Sequence, residues 1–149
     1  MTDTQQTGVV GQPLVHESAH QHVRGSAWYT DDIPEPQGTL FAAIGMSHKA
    51  HAHITGLDLD AVRTAPGVVD VMSAADIPGA NNCGPVVHDD PIFADGLVEY
   101  AGQSLFAVVA TSVVAARRAV GLAQVSYATL PALIDVDAAL AAGSFVLPT

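Results

Sequence analysis

The chain has 149 residues, with 15 acidic side chains against 5 Lys and Arg, so its formal charge is −10. This length is enough for one domain to bury a core without disulfides or bound metals. The negative charge repels phosphate backbones and anionic lipids, so nucleic acid and membrane surfaces are not expected partners. The single cysteine, Cys83, excludes an internal disulfide. The N-terminus is polar and the sequence has no apolar run of membrane-spanning length, which is typical of a cytoplasmic protein.

The N-terminal part carries little hydrophobic periodicity. Residues 1–24 include His16, His20 and His22 and are predicted to form an extended arm that packs on a partner outside the chain. The acids and two prolines of residues 31–36 then indicate a turn that leads into the core. We expect one folded domain over residues 25–149.

The first half of this domain contains three apolar or β-branched runs. They predict strands at Thr39–Ser47, Ala52–Leu59 and Val68–Met72. The first run is almost continuously apolar, as in a central strand covered on both faces in a mixed or parallel sheet. Asp58 or Asp60 is a candidate cap for a short helix through Thr64, and Ser73 for a single helical turn.

Residues 78–96 show no periodicity and contain several glycines and prolines. They predict a long ordered loop, and long loops often carry function.

The second half predicts strand, helix, strand and a last short helix. A strand at Leu105–Ala110 precedes a helix at Val113–Ala123, which Thr111 or Ser112 is expected to cap. The inner face of that helix is predicted to contain Val113, Ala116, Ala119, Val120 and Ala123. Val125 and Tyr127 alternate with polar residues in a strand that Pro131 ends, and a helix at Val136–Ala142 ends at Gly143. Two βαβ-like units predict an α/β (α+β) domain, a mixed sheet with short helices packed on it.

Three groups of residues are candidates for chemistry. His48, His51 and His53 have a spacing that could bind zinc, although no fourth ligand is evident. Asp31-Asp32 or Asp89-Asp90 could divide acid and base roles, and Cys83 has His88 nearby as a base. Capping, turn formation and packing explain all of them more simply, so we predict no catalytic residue and no metal site.

Several motifs occur in a fixed order along the chain. They are Trp28-Tyr29-Thr30-Asp31-Asp32-Ile33, Ala65-Pro66-Gly67-Val68, Ala75-Asp76-Ile77-Pro78-Gly79, Gly102-Gln103, and Tyr127 with Leu130-Pro131-Ala132. The chain resembles, from Val10 through Phe145, the α/β hammerhead domain that opens the molybdopterin-binding subunit of xanthine dehydrogenases and aldehyde oxidases. Its loop looks more like that of bacterial xanthine dehydrogenase.

The resemblance implies a part of an enzyme. Whole enzymes of this family hydroxylate purines such as xanthine and hypoxanthine, or aldehydes, at a molybdopterin-bound molybdenum. Their electrons then leave through two [2Fe-2S] clusters and, in dehydrogenases, reach FAD and NAD. The groups that hold the pterin lie in later domains, so this segment is expected to bind no cofactor and to be inactive alone. Its implied partners are the molybdopterin-binding domains of the same subunit and the iron-sulfur/FAD subunit.

The resemblance also implies a role for the loop around Cys83 to Val87. The comparable segment in the family lines the funnel toward molybdenum, and here Pro85, Val86 and Val87 would provide the apolar lining. Two other hypotheses stay open. One is a free-standing α/β binding or interaction module without redox activity, and the other is a small histidine-ligated metalloprotein that uses His48, His51 and His53.

Overall fold

The computed structural model describes residues 11–145, and contacts divide the chain into two compact units, Met1–Gln37 and Gly38–Thr149. The first ten residues of the predicted arm and the last four of the predicted domain lie outside the described range. The predicted boundary at residues 24 and 25 remains a prediction.

Within the predicted extended arm of residues 1–24, the described part includes a helix. Helix α1 spans Ala19–Arg24 and ends at Gly25, which adopts the left-handed conformation with φ of 68°. A short 3-10 helix follows at Thr30–Asp32. No side chain of α1 is buried. Because a helix that buries nothing needs no apolar stripe, the sequence lacked the periodicity that would have indicated it.

The second unit contains six strands and three helices in the described range. The strands are β1 (Phe41–Met46), β2 (Ala52–Asp58), β3 (Val68–Ser73), β4 (Leu97–Val98), β5 (Ser104–Ala110) and β6 (Gln124–Thr129). The helices are α2 (Asp60–Arg63), α3 (Val113–Val120) and α4 (Val136–Ala141), with a further 3-10 turn at Ala74–Asp76. Five of the six strands were predicted, and the two-residue β4 was missed because it is too short to show alternation.

The strands form two three-stranded sheets, in the orders β1-β5-β3 and β4-β2-β6. All described pairings are antiparallel. The predicted mixture of strands and short packed helices is therefore confirmed, but the single mixed sheet is not. Helices α2 and α3 each connect a strand of one sheet to a strand of the other, so neither belongs to a true βαβ crossover. The prediction that the first apolar run is a central strand covered on both faces is wrong. Strand β1 lies at the edge of its sheet and exposes every second residue, and β5 occupies the centre.

The core lies around β5, which buries Leu105, Phe106, Val108 and Ala110. Phe106 pairs with Gly45 of β1, where its ring occupies the position that a Cβ on residue 45 would need. Glycine is therefore required at this point of β1 by the close approach of an aromatic ring. The β1–β5 register shifts immediately after this pair, between Gly45 and Met46.

Helix α3 packs close to β1 and β5 through its small residues. Ala116 and Ala119 are buried as predicted, and Val120 packs against the same core cluster. The prediction that Val113 faces inward is wrong. Val113 is the first residue of the helix and is 42% exposed. Ser112, one of the two predicted caps, accepts a 3.1 Å hydrogen bond at Oγ from the Ala115 amide.

Candidate functional site

The loop of residues 78–96 contains neither helix nor strand, as predicted, but its base is firmly held. Asn81 Nδ2 donates to the Phe93 carbonyl at 2.7 Å, and the Phe93 amide donates to Asn81 Oδ1 at 3.0 Å. Phe93 and Ala94 are buried, and the Ala94 amide donates to the Ser104 carbonyl of β5 at 2.8 Å. One asparagine thus closes the loop, and two buried residues attach it to the central strand.

Hydrogen bonds also hold the tip of the loop. The Cys83 amide donates to the Asp90 carbonyl at 2.8 Å, and the Gly84 amide donates to Asn82 Oδ1 at the same distance. Gly84 lies so close to the Val87 carbonyl that any Cβ there would collide with it. The backbone of the tip is therefore held by hydrogen bonds and by a close approach at residue 84 that only glycine allows.

The three predicted funnel residues lie at this tip and are exposed. Val86 is 87% and Val87 63% exposed, and Pro85 is exposed beside them. An isolated exposed valine needs no explanation, but three adjacent apolar residues on an anchored turn are a small apolar surface directed away from the core.

The thiol in this loop is not arranged as a nucleophile. Cys83 Sγ donates to the Asp90 carbonyl at 3.4 Å and to Asp90 Oδ2 at 3.6 Å, instead of pairing with His88. Partial desolvation, followed by the negative charge of Asp90, raises the pKa of the Cys83 thiol. A raised pKa keeps sulfur in its unreactive protonated form at neutral pH.

One member of each acidic pair makes a local hydrogen bond. Asp32 Oδ2 accepts a 3.0 Å hydrogen bond from the Tyr29 amide, and so stabilises the 3-10 turn at residues 30–32. Asp90 is engaged with Cys83 at the loop tip. The geometry therefore agrees with the turn-forming interpretation of both pairs.

The three central histidines have separate surroundings. His51 Nδ1 lies 2.6 Å from the Pro131 carbonyl, and the His48 ring meets Tyr127 edge-on with centroids 5.2 Å apart. His53 lies in β2, paired with Leu97 and Ala128. Within residues 11–145 no group of three His, Cys, Asp or Glu side chains is arranged to hold a metal ion. The zinc hypothesis thus gains no support from the described residues.

Sequence reasoning missed a groove of about 470 Å³ next to His51. Its lining includes His51, Glu99, Tyr100, Leu133, Ile134 and Ser144, which come from distant parts of the sequence. The exposed pair Leu133-Ile134, just after a strand that ends at a proline, was the one signal that could have indicated it.

The described residues of the second unit thus form a small α/β scaffold with one long loop that is hydrogen-bonded at its base. None of the described helices is long and apolar enough to cross a membrane. This arrangement defines a small α/β domain with two antiparallel sheets and short packed helices.

Comparison with known proteins identifies the family. The family model described as "Aldehyde oxidase and xanthine dehydrogenase, a/b hammerhead domain" matches residues 24–131. The chain is 43% identical to xanthine dehydrogenase of Oryza sativa subsp. japonica over 136 residues, covering 91% of this chain and 10% of that protein. It is 40% identical to aldehyde oxidase 2 of Rattus norvegicus over 140 residues, covering 93% and 10%. The chain belongs to the aldehyde oxidase and xanthine dehydrogenase family, as its hammerhead domain.

Solved structures agree with this assignment. The aldehyde oxidoreductase of Desulfovibrio desulfuricans superposes with a TM-score of 0.76 at 27% identity, over 84% of this chain and 15% of that one. The CO dehydrogenase of Oligotropha carboxidovorans gives 0.72 at 30% identity, over 84% and 16%. The predicted hammerhead fold is therefore confirmed. The chain spans about 10% of the length of the curated relatives it matches.

Proposed function

We propose that this domain is the N-terminal hammerhead part of a xanthine dehydrogenase-type molybdenum hydroxylase, which hydroxylates xanthine and hypoxanthine in cytoplasmic purine catabolism. Its own role is structural: it holds an apolar loop at the wall of the substrate funnel. The observation that carries this proposal is the exposure of Pro85, Val86 and Val87 at the tip of a loop whose base is held by the Asn81–Phe93 hydrogen bonds.

The physical basis is the chemistry of a purine. The faces of a flat heterocycle form few hydrogen bonds with water, so apolar side chains can contact them at little desolvation cost. Polar groups that would discriminate between substrates belong deeper in such a site. A loop held at its base also loses less conformational entropy when a ligand passes, which supports a guiding surface here rather than a mobile lid.

Chemistry in the complete enzyme requires molybdopterin, [2Fe-2S] clusters and FAD. The residues of this chain do not fit those groups, because one cysteine cannot supply the four ligands of an iron-sulfur cluster and the sequence has no phosphate loop or dinucleotide glycine motif. The cofactors belong instead to the proposed partners, which are the molybdopterin-binding domains of the same subunit and the iron-sulfur/FAD subunit. The domain alone is expected to be inactive.

The test is Val87→Asp in a complete enzyme that carries this domain. A carboxylate at the tip places a hydrated charge where the purine face would pass, so the KM for xanthine should rise about tenfold with kcat nearly unchanged. Stability should change by less than about 0.5 kcal/mol, because Val87 is exposed. The matched control is Val69→Asp, at another exposed valine, on β3. An unchanged KM in the Val87 variant, with full cofactor content, would refute the funnel role.

A further inference from the structure

The groove next to His51 lies outside the loop and has no role in the proposal above. At about 470 Å³ it falls within the roughly 300–1,000 Å³ range of ligand sites. Its polar lining consists of His51, Glu99, Tyr100 and Ser144, and Leu133 and Ile134 form part of its apolar wall. The chemistry of these groups restricts what can bind there.

His51 presents a hydrogen-bond acceptor. A carbonyl oxygen can only accept, so the 2.6 Å contact between His51 Nδ1 and the Pro131 carbonyl places the proton of the neutral ring on Nδ1. Nε2 then carries a lone pair. The backbone of His51 is also held, because the Leu130 amide donates to the His51 carbonyl at 2.9 Å.

Glu99 and Tyr100 add a negative charge and an aromatic face. The backbone of Glu99 is held in place, because its amide donates at 2.8 Å to Oε1 of the buried Gln103. Tyr100 is 54% exposed, so its ring is accessible to a cation. No Lys or Arg is among the described residues that line the groove. The groove therefore combines a carboxylate, an imidazole acceptor and an aromatic face. These groups are complementary to a planar cation with several hydrogen-bond donors.

The surface that continues from the groove is apolar and acidic. Exposed apolar side chains follow one another at Leu133, Ile134, Val136, Leu140 and Phe145. Helix α4, within this segment, buries none of its residues. The charged residues here are Asp135 and Asp137, and the sequence has no Lys or Arg after Arg118. A run of exposed apolar residues beside carboxylates fits a polypeptide with apolar and basic residues, rather than a small free cation.

We propose that this groove binds the arginine side chain of a partner polypeptide that has apolar residues on both sides of the arginine. The guanidinium lies over Tyr100 and donates to the Glu99 carboxylate and to His51 Nε2. The flanking apolar side chains cover Leu133 and Ile134. This docking surface is separate from the funnel loop, so each proposal can fail without the other.

The test uses the 149-residue chain labelled with ¹⁵N and the probe peptide acetyl-Leu-Arg-Leu-amide, followed by NMR shift titration. Shift changes should map to residues around Glu99, Tyr100 and Leu133. The same peptide with citrulline in place of arginine keeps the shape but loses the charge, and should bind about tenfold more weakly. Glu99→Gln should weaken binding of the arginine peptide about fivefold to tenfold, whereas Glu35→Gln, at an exposed glutamate of the other unit, should not change it.

Three results would overturn the proposal. They are equal binding of the citrulline peptide, shift changes confined to other surfaces, and no saturable shift at millimolar peptide. Binding of arginine methyl ester as tight as that of the peptide would contradict the polypeptide component. Should Glu99→Gln disturb the fold, Tyr100→Leu removes only the aromatic face and should weaken binding about threefold.

Discussion

Strand β5 and the loop at residues 78–96 are joined by the Ala94–Ser104 hydrogen bond, yet they use apolar residues in opposite ways. The strand buries Leu105, Phe106 and Val108, whereas the loop exposes Pro85, Val86 and Val87. Hydrophobic burial stabilises the first region. Hydrogen bonds at Asn81 and Asn82, together with buried Phe93 and Ala94 at its base, hold the second. Apolar residues that contribute little to stability, but are held in place by polar ones, are candidates for recognition.

The largest expected effect lies in the strand. Phe106→Ala should lower the free energy of unfolding by about 3–5 kcal/mol, because it leaves a cavity at the centre of the core. Urea denaturation followed by circular dichroism measures this change. Val86→Ala, in the loop, should alter stability by less than about 0.5 kcal/mol. Similar losses for both variants would break the distinction between the two regions.

The next effect tests the close approach of β1 to β5. Gly45→Ala should lower the free energy of unfolding by about 1–3 kcal/mol, because the new methyl group would overlap the Phe106 ring. Gly56→Ala is the matched control, since its Cβ would meet Ser126 Cβ at an ordinary 3.6 Å. Equal stability of the two variants, measured by the same urea titration, would mean that the Phe106 ring moves aside without cost.

Local features of the fold could be predicted from the sequence, whereas contacts between distant segments could not. Apolar and β-branched runs located β1, β2, β3, β5 and β6, and Ser112 was one of two predicted helix caps, because these signals are local. Strand pairing is not local, so the expected βαβ units proved to connect two antiparallel sheets. The loop could be located from its glycines and prolines, but its anchor between Asn81 and Phe93 could not. The groove at His51 was missed because its lining comes from four separate segments, at residues 50–51, 99–101, 131–134 and 144.

A smaller effect is expected at the loop base. Asn81→Ala removes both hydrogen bonds to Phe93 and should cost about 1–2 kcal/mol locally. Amide hydrogen exchange should quicken at Phe93 and Ala94, while Val108 in β5 keeps its protection. Asn82→Ala, which removes only the acceptor for Gly84, should leave exchange at Phe93 unchanged. Unaltered exchange at Phe93 in the Asn81 variant would show that buried Phe93 and Ala94 anchor the loop without the asparagine.

The smallest expected effect has the opposite sign. Tyr127 Oη is the one buried side-chain polar atom without a hydrogen-bond partner among the described residues, although its ring packs on the core cluster and on His48. Tyr127→Phe keeps the ring and removes an unsatisfied hydroxyl, so the free energy of unfolding should rise by up to about 1 kcal/mol. The urea midpoint should therefore increase. A decrease would mean that water hydrogen-bonds to the hydroxyl within the folded protein. Water would then enter the core next to β6 more readily than the core around β5.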